Sequence, residues 1–243
     1  MINILISLAG AAIGFLAFFF GLNAGPVWSL LIGLVILFAL NFFLGKRIMN
    51  KVTAIMESAT KILQKGKFDL AIKTIEGAFQ YSKWMLMVNS QIKSQIGMIQ
   101  YLKKDFNAAL PNLEATMKKN WMAMAMLGVT YMRKKENEKM IKTFDKAVKS
   151  NASEAIVWNI YAYCLLKTGD RDKAIEVLTK GVKKLKGDDR TEGNLKALQN
   201  NAKMKMKSFG DIWYQFHLES VPMSMRMQAG GRGAKGGRKI VRR

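Results

Sequence analysis

Residues 1–45 carry no charged side chain, although the 243-residue chain holds 39 Lys and Arg against 17 Asp and Glu. That absence divides the protein into an oily N-terminal head and a strongly basic body. A single cysteine, Cys164, excludes an internal disulfide, and a single histidine, His217, leaves no Cys/His spacing that holds zinc. A reducing, cytoplasmic-type compartment fits that cysteine usage. Only three prolines interrupt the chain, and β-branched runs are few. The Ala-, Leu-, Met-, Lys- and Glu-rich body therefore reads as helical, and the fold class as all-α.

The uncharged head contains two long apolar runs. Ile2 to Leu22 (INILISLAGAAIGFLAFFFGL) has one Asn as its only strongly polar residue. As a helix it spans roughly 31 Å, the thickness of a bilayer core. Asn23-Ala24-Gly25-Pro26 supplies turn chemistry, and a second run, Val27 to Leu44, stops at Gly45-Lys46-Arg47. Trp28 lies where an interfacial aromatic is expected. The expectation is a transmembrane hairpin over 1–47. A cleaved signal peptide is opposed by the start MINILI, which lacks a positive n-region, and by the length of the run. Lys46, Arg47 and Lys51 flank the exit, so the positive-inside rule puts the body in the cytoplasm; the alternative is a body on the extracytoplasmic side.

The body repeats itself. Gly66-Lys67-Phe68-Asp69-Leu70-Ala71 runs on to Ile75 and Ala78, and Lys104-Asp105-Phe106-Asn107-Ala108-Ala109 to Leu113. Glu136-Asn137-Glu138-Lys139-Met140 leads to Phe144 and Ala147, and Gly169-Asp170-Arg171-Asp172-Lys173-Ala174 to Leu178 and Gly181. Anchored on Ala71, Ala109, Met140 and Ala174, the steps are 38, 31 and 34 residues. A period near 34 means stacked helical hairpins, in which small residues let paired helices approach. Trp84, Trp121 and Trp158 recur every 37 residues, out of step with that frame.

The pattern resembles the tetratricopeptide repeat. Leu127-Gly128, Tyr131, Met140, Phe144 and Ala147 fall where that family places Leu-Gly, Tyr, Ala, Phe and Ala. Trp158, Ala162, Gly169-Asp170, Ala174 and Leu178 match in the next unit, with weaker units before. The resemblance implies an α-solenoid of helical hairpins over 48–190, which the two transmembrane helices expected from the apolar runs would precede. A helix over Thr191 to Lys207 is expected to cap its open end, with an aromatic segment to 220 that docks back on the last repeat or lies on the bilayer.

Catalytic chemistry is not expected. Asp170 and Asp172 lie on a repeat turn, where Asp170 is placed to cap the next helix. The glycines and Lys-Ser/Thr ending of a phosphate loop are missing from LLKTGDRDKAIEVL. Cys164 reads as a small buried hydrophobe. No cofactor, metal or small-molecule substrate is implied, and the protein is not expected to be an enzyme.

The resemblance implies instead a peptide groove lined by the first helix of each unit. Its residues would be Gln91, Ser94, Met98 and Tyr101, then Met122, Ala125, Val129 and Met132, then Asn159 and Tyr163. Methionine and tyrosine there suit an apolar or amphipathic partner segment, or they are inter-repeat core. The last segment, 221–243, carries Arg226, Arg232, Lys235, Arg238, Lys239, Arg242 and Arg243 among glycines and no acid. Such a segment is expected to be disordered and to suit anionic lipid or nucleic-acid phosphates. Two functions follow: a membrane-anchored adaptor that binds proteins through its repeats, or a membrane-tethered polyanion binder acting through its tail.

Overall fold

The computed structural model describes residues 1–22 and 25–222, and within them all regular structure is helical. The expected tail contacts at 226–243 lie outside the described residues. Two compact units meet in the sequence at Thr130 and Tyr131, inside helix α6.

In the first unit, α1 (Ile2–Leu16) continues as a π-helical turn, Ala17–Gly21, and α2 (Pro26–Gln64) returns against it. Pro26 occupies the first turn of α2, where its missing N–H is no loss. Small residues set the approach. Gly10 and Gly14 leave room that Leu40 and Ile36 fill, and a Cβ at Gly33 would stand 3.2 Å from the Ala11 carbonyl oxygen. This is small-xxx-small packing, in which backbones come close without bulky partners. Ser7 Oγ donates to the Asn3 carbonyl (2.8 Å) and Ser29 Oγ to the Gly25 carbonyl (3.3 Å). Each hydroxyl is thus satisfied within its own helix. Both helices are long and apolar enough to cross a membrane by length and composition. Their outward faces are open, with Leu5, Ile13, Phe20, Val35 and Phe38 each about two-thirds or more exposed.

The expected boundary at residue 47 is not a break. α2 runs on for 39 residues, because Lys46 and Arg47 are good helix formers that leave the helical hydrogen-bond ladder intact. Its second half buries Ile48, Val52 and Ala59 and serves as the first helix of the first repeat, paired with α3 (Phe68–Glu76). A 3₁₀ turn, Gly77–Tyr81, leads to α4 (Leu86–Leu102), which pairs with α5 (Phe106–Glu114). A Cβ at Gly97 would meet Leu113 N and Cγ at 3.0 Å, so glycine sets the α4–α5 distance.

Then come α6 (Trp121–Arg133), α7 (Asn137–Ser150), α8 (Ala155–Lys167) and α9 (Arg171–Leu185). The four repeat turns share one geometry. Gly66, Lys104, Lys135 and Gly169 have φ of 73°, 68°, 62° and 90°, and each precedes the cap of a second helix. The anchors Ala71, Ala109, Met140 and Ala174 are then the fourth residues of those helices, every one fully buried. Their N–H groups donate to the carbonyls of Lys67, Asp105, Glu136 and Asp170 at 3.0, 3.0, 3.0 and 3.2 Å. Asp170 Oδ1 accepts from Lys173 N and Asp105 Oδ1 from Ala108 N, both at 3.1 Å, so Asp170 is the expected cap. The tryptophan spacing also resolves. Trp84 precedes α4, Trp121 opens α6 and Trp158 is the fourth residue of α8, so each drifts along an equivalent helix start.

In the second unit, α10 (Asp189–Gln199) packs on α8 and α9. The helix expected to run to Lys207 stops eight residues earlier, where Asn201 takes φ 56° after Asn200. Asparagine tolerates that left-handed conformation, and a helix does not continue through it. A 3₁₀ turn, Met206–Phe209, and the short α11 (Asp211–Tyr214) complete the described chain.

Candidate protein-interaction site

The expected groove residues separate into two groups. Tyr101 is fully buried and meets Phe106 edge-on at 5.0 Å, joining the helices of its own repeat. Ala125 and Val129 are also fully buried. Ser94, 2% exposed, shares a 2.7 Å hydrogen bond with Thr116 Oγ1 and accepts one from Asn120 Nδ2 at 2.8 Å. Asn120 Oδ1 in turn accepts from Ala123 N at 3.2 Å, so Ser94 steadies the start of α6.

Asn159 is the clearest correction. It is fully buried, donating from Nδ2 to Thr191 Oγ1 (2.9 Å) and accepting at Oδ1 from Asn194 Nδ2 (2.8 Å). Asn194 Oδ1 accepts from Lys205 N at 2.6 Å, and Thr191 Oγ1 donates to Asp188 Oδ2 at 2.8 Å. A buried amide must be fully bonded, and this one ties α8 to α10 and to the chain beyond it. Burial pushes the Asp188 carboxyl up, and its bonds from Thr191 and Arg190 outweigh this and hold it below the usual carboxylate range. Gln91, Met98, Met122, Met132 and Tyr163 remain half-buried.

In the second unit, Tyr163 on α8 is already engaged. The Trp213 ring stands edge-on to it at 4.9 Å. Tyr163 OH donates to Glu219 Oε1 at 3.3 Å, and Trp213 Nε1 donates to Glu219 Oε2 at 3.2 Å. Arg133, ending α6, donates to the His217 carbonyl at 2.5 Å. Met206, Trp213 and Phe216 are nearly or fully buried, so the aromatic segment docks on its own repeats. Burial first, then the Glu219 carboxylate, pushes the Tyr163 phenol up to about 12.

Beside this segment lies a cleft of about 550 Å³, lined by Met132, Arg133, Lys135, Asn137, Lys167, Thr168, His217 and Leu218. Three cations line it and no acid does. Lys167 Nζ also lies 5.4 Å over the Tyr163 ring. Arg133 and Glu219 were not singled out by the sequence pattern. The one available signal was that DIWYQFHLES combines three aromatics, an isoleucine and a leucine with two acids, an amphipathic composition that suits a groove. Cys164 is fully buried, and burial raises its thiol far above the ordinary value, leaving it inert.

No curated protein matches the chain in sequence. Among the solved structures similar to it, one is a MamA protein, 19% identical over 70% of this chain and 98% of that chain, with a TM-score of 0.49. Another is the MamA RS-1 ArsTM double mutant, 13% identical over 76% of this chain and 98% of that one, with a TM-score of 0.48. The tetratricopeptide repeat family model matches residues 123–154 and 155–183. With the recurrent turns, this makes the body a stack of tetratricopeptide-like hairpins, and α6–α7 and α8–α9 two successive tetratricopeptide repeats.

Proposed function

We propose that the protein is a membrane-anchored adaptor, without catalytic activity, whose repeats bind a segment of another protein. The observation that carries this is the seating of the chain's own residues 211–219 on α8. An aromatic side chain meets Tyr163 edge-on, a carboxylate accepts from the tyrosine hydroxyl, and a backbone carbonyl accepts from the Arg133 guanidinium. A partner segment of the same chemistry, aromatic or aliphatic with an acidic residue, would use the neighbouring cationic cleft. Half-buried Met132, which lines that cleft, adds adaptable apolar contact.

The anchor is the α1–α2 hairpin. Its support is the length of both helices and the open apolar faces, which a soluble core helix would have buried. Lys46, Arg47 and Lys51 favour the cytoplasmic side for the body. Protease added from each side of sealed membranes tests that orientation, and digestion of the body from the extracytoplasmic side alone would reverse it.

In-cell crosslinking with mass spectrometry on the membrane-bound protein tests the adaptor reading. Crosslinks to a protein should fall near Met132, Lys167 and the 211–219 segment, and be lost in a folded Met132→Glu variant. Crosslinks unchanged in that variant, but abolished by deletion of 221–243 or by high salt, would transfer the function to the basic tail and a polyanion.

A further inference from the structure

Outside the N-terminal hairpin, the most exposed large apolar side chains among the described residues are Leu86 and Met87, at 63% and 66%. They open α4, directly after Ser82-Lys83-Trp84-Met85. This connection is fastened to the very start of the first apolar helix. The Met1 ammonium donates to the Lys83 carbonyl at 2.7 Å, and Ile2 N donates to the same oxygen at 3.0 Å. Trp84 and Met85 pack on the core that includes Ile48 and Val52 of α2. The loop is therefore held on both hairpin helices within one compact unit.

Its height along the hairpin is fixed as well. Trp84, Met85, Leu86 and Met87 line a groove of about 190 Å³ together with Met1, Asn3, Ile4 and Asn41. Asn41 lies within one helical turn, about 5 Å, of Leu44, the last residue of the second uncharged run. The exposed pair is thus level with the margin of the apolar band. Cations gather at that margin: the Met1 ammonium, Lys46, Arg47, Lys51 and Lys83, with no acid anywhere in residues 1–56. Lys51 Nζ lies 5.8 Å over the Tyr81 ring, just before the loop. Asn3, 3% exposed and lining the groove, has its Oδ1 unpaired among the described residues.

We propose that residues 83–87 form a second membrane contact, an interfacial loop that lies in an anionic lipid surface beside the hairpin. Leu86 and Met87 enter the headgroup–acyl boundary, and Trp84 sits at that boundary, where its ring and N–H find both an apolar and a wet neighbour. The surrounding cations attract anionic headgroups. Continuity with the hairpin's apolar band and the one-signed charge around the loop favour lipid over a protein partner. The consequence is a two-point hold: α2 enters the first repeat without a linker, and the loop prevents that unit from rolling about the hairpin. This inference rests on the membrane anchoring proposed above.

The test uses the full chain in vesicles of phosphatidylcholine with a quarter phosphatidylglycerol. Cys164 is replaced by Ala, and a nitroxide is placed singly through Leu34→Cys, Leu86→Cys, Met87→Cys or Glu57→Cys. Paramagnetic accessibility to oxygen and to a water-soluble nickel complex reports depth, and circular dichroism confirms folding of each variant. The expected result is position 34 in the hydrocarbon, 57 in water, and 86 and 87 about 5–10 Å inside the boundary. Position 34 in hydrocarbon with 86 and 87 fully aqueous would overturn the interfacial loop and leave the anchor standing. Labels at 86 and 87 shielded from both reagents would mean protein covers them, a partner or a second copy, and would also overturn it. An aqueous position 34 would remove the anchor and the loop together.

Discussion

Residues 26–44 and 46–64 belong to one helix, yet they sort side chains by opposite rules. The first part turns Val27, Leu31, Val35, Phe38 and Phe42 outward and keeps Ser29 and Gly33 inside. The second turns Lys51, Glu57 and Lys61 outward and keeps Ile48, Val52 and Ala59 inside. A helix exposes whatever its surroundings tolerate, so the inversion at Lys46-Arg47 is the pattern that the proposed passage from lipid to water would leave on an unbroken backbone. The lesson extends to polar groups. Ser7 and Ser29 bond backward within their own helices, whereas buried Asn159, Thr191 and Asn194 in the repeats bond across elements. Across-element bonding fixes one arrangement of the repeat end, and the hairpin obtains its fit from small residues instead.

The sharpest way to break this comparison is one substitution made twice. Val52→Asp buries an unpaired carboxylate in the first repeat and should cost about 4 kcal/mol or more, read by chemical denaturation. Val35→Asp stands on a face that water would leave indifferent, within about 0.5 kcal/mol. In lipid it should cost about 3 kcal/mol, read as lost insertion in a glycosylation-mapped translocation assay. Equal insertion of Val35→Asp and wild type would erase the inversion.

Close packing by glycine should behave alike on both sides. Gly33→Leu drives α1 from α2, and Gly97→Leu drives α4 from α5, each with a cost of about 1–3 kcal/mol. Distances between nitroxide pairs across each helix pair check the separation. Smaller effects belong to the repeat turns. Asp170→Ala removes the cap of α9 and should lower stability by about 1 kcal/mol in urea denaturation. Lys135→Gly places glycine where φ is 62° and should raise stability by about 0.5 kcal/mol, as Gly66 and Gly169 already occupy the equivalent position.

The repeat was legible because its anchors are sterically forced. The fourth residue of each second helix faces a partner helix at close range, so Ala71, Ala109 and Ala174 stand out, and flexible Met140 fills the same place. The unbroken run of α2 past Lys46-Arg47 was not, because those residues mark a change of polarity, whereas a helix end is signalled by a residue such as Gly66 at φ 73°. Groove positions were only partly legible. Carrying a repeat position across assigns a helix, but which side of it meets a neighbour depends on partners that arrive from far along the chain. Asn159 is claimed by Thr191 and Asn194, and Tyr163 by Glu219, 56 residues away.

The central claim is the proposal that the hairpin lies in a bilayer and that α2 continues from it into the first repeat. Alkaline carbonate extraction of membranes from cells expressing the full chain tests it most directly. The account predicts that the protein stays with the membrane pellet, as an integral protein does. Quantitative release of folded protein into the carbonate supernatant would contradict it.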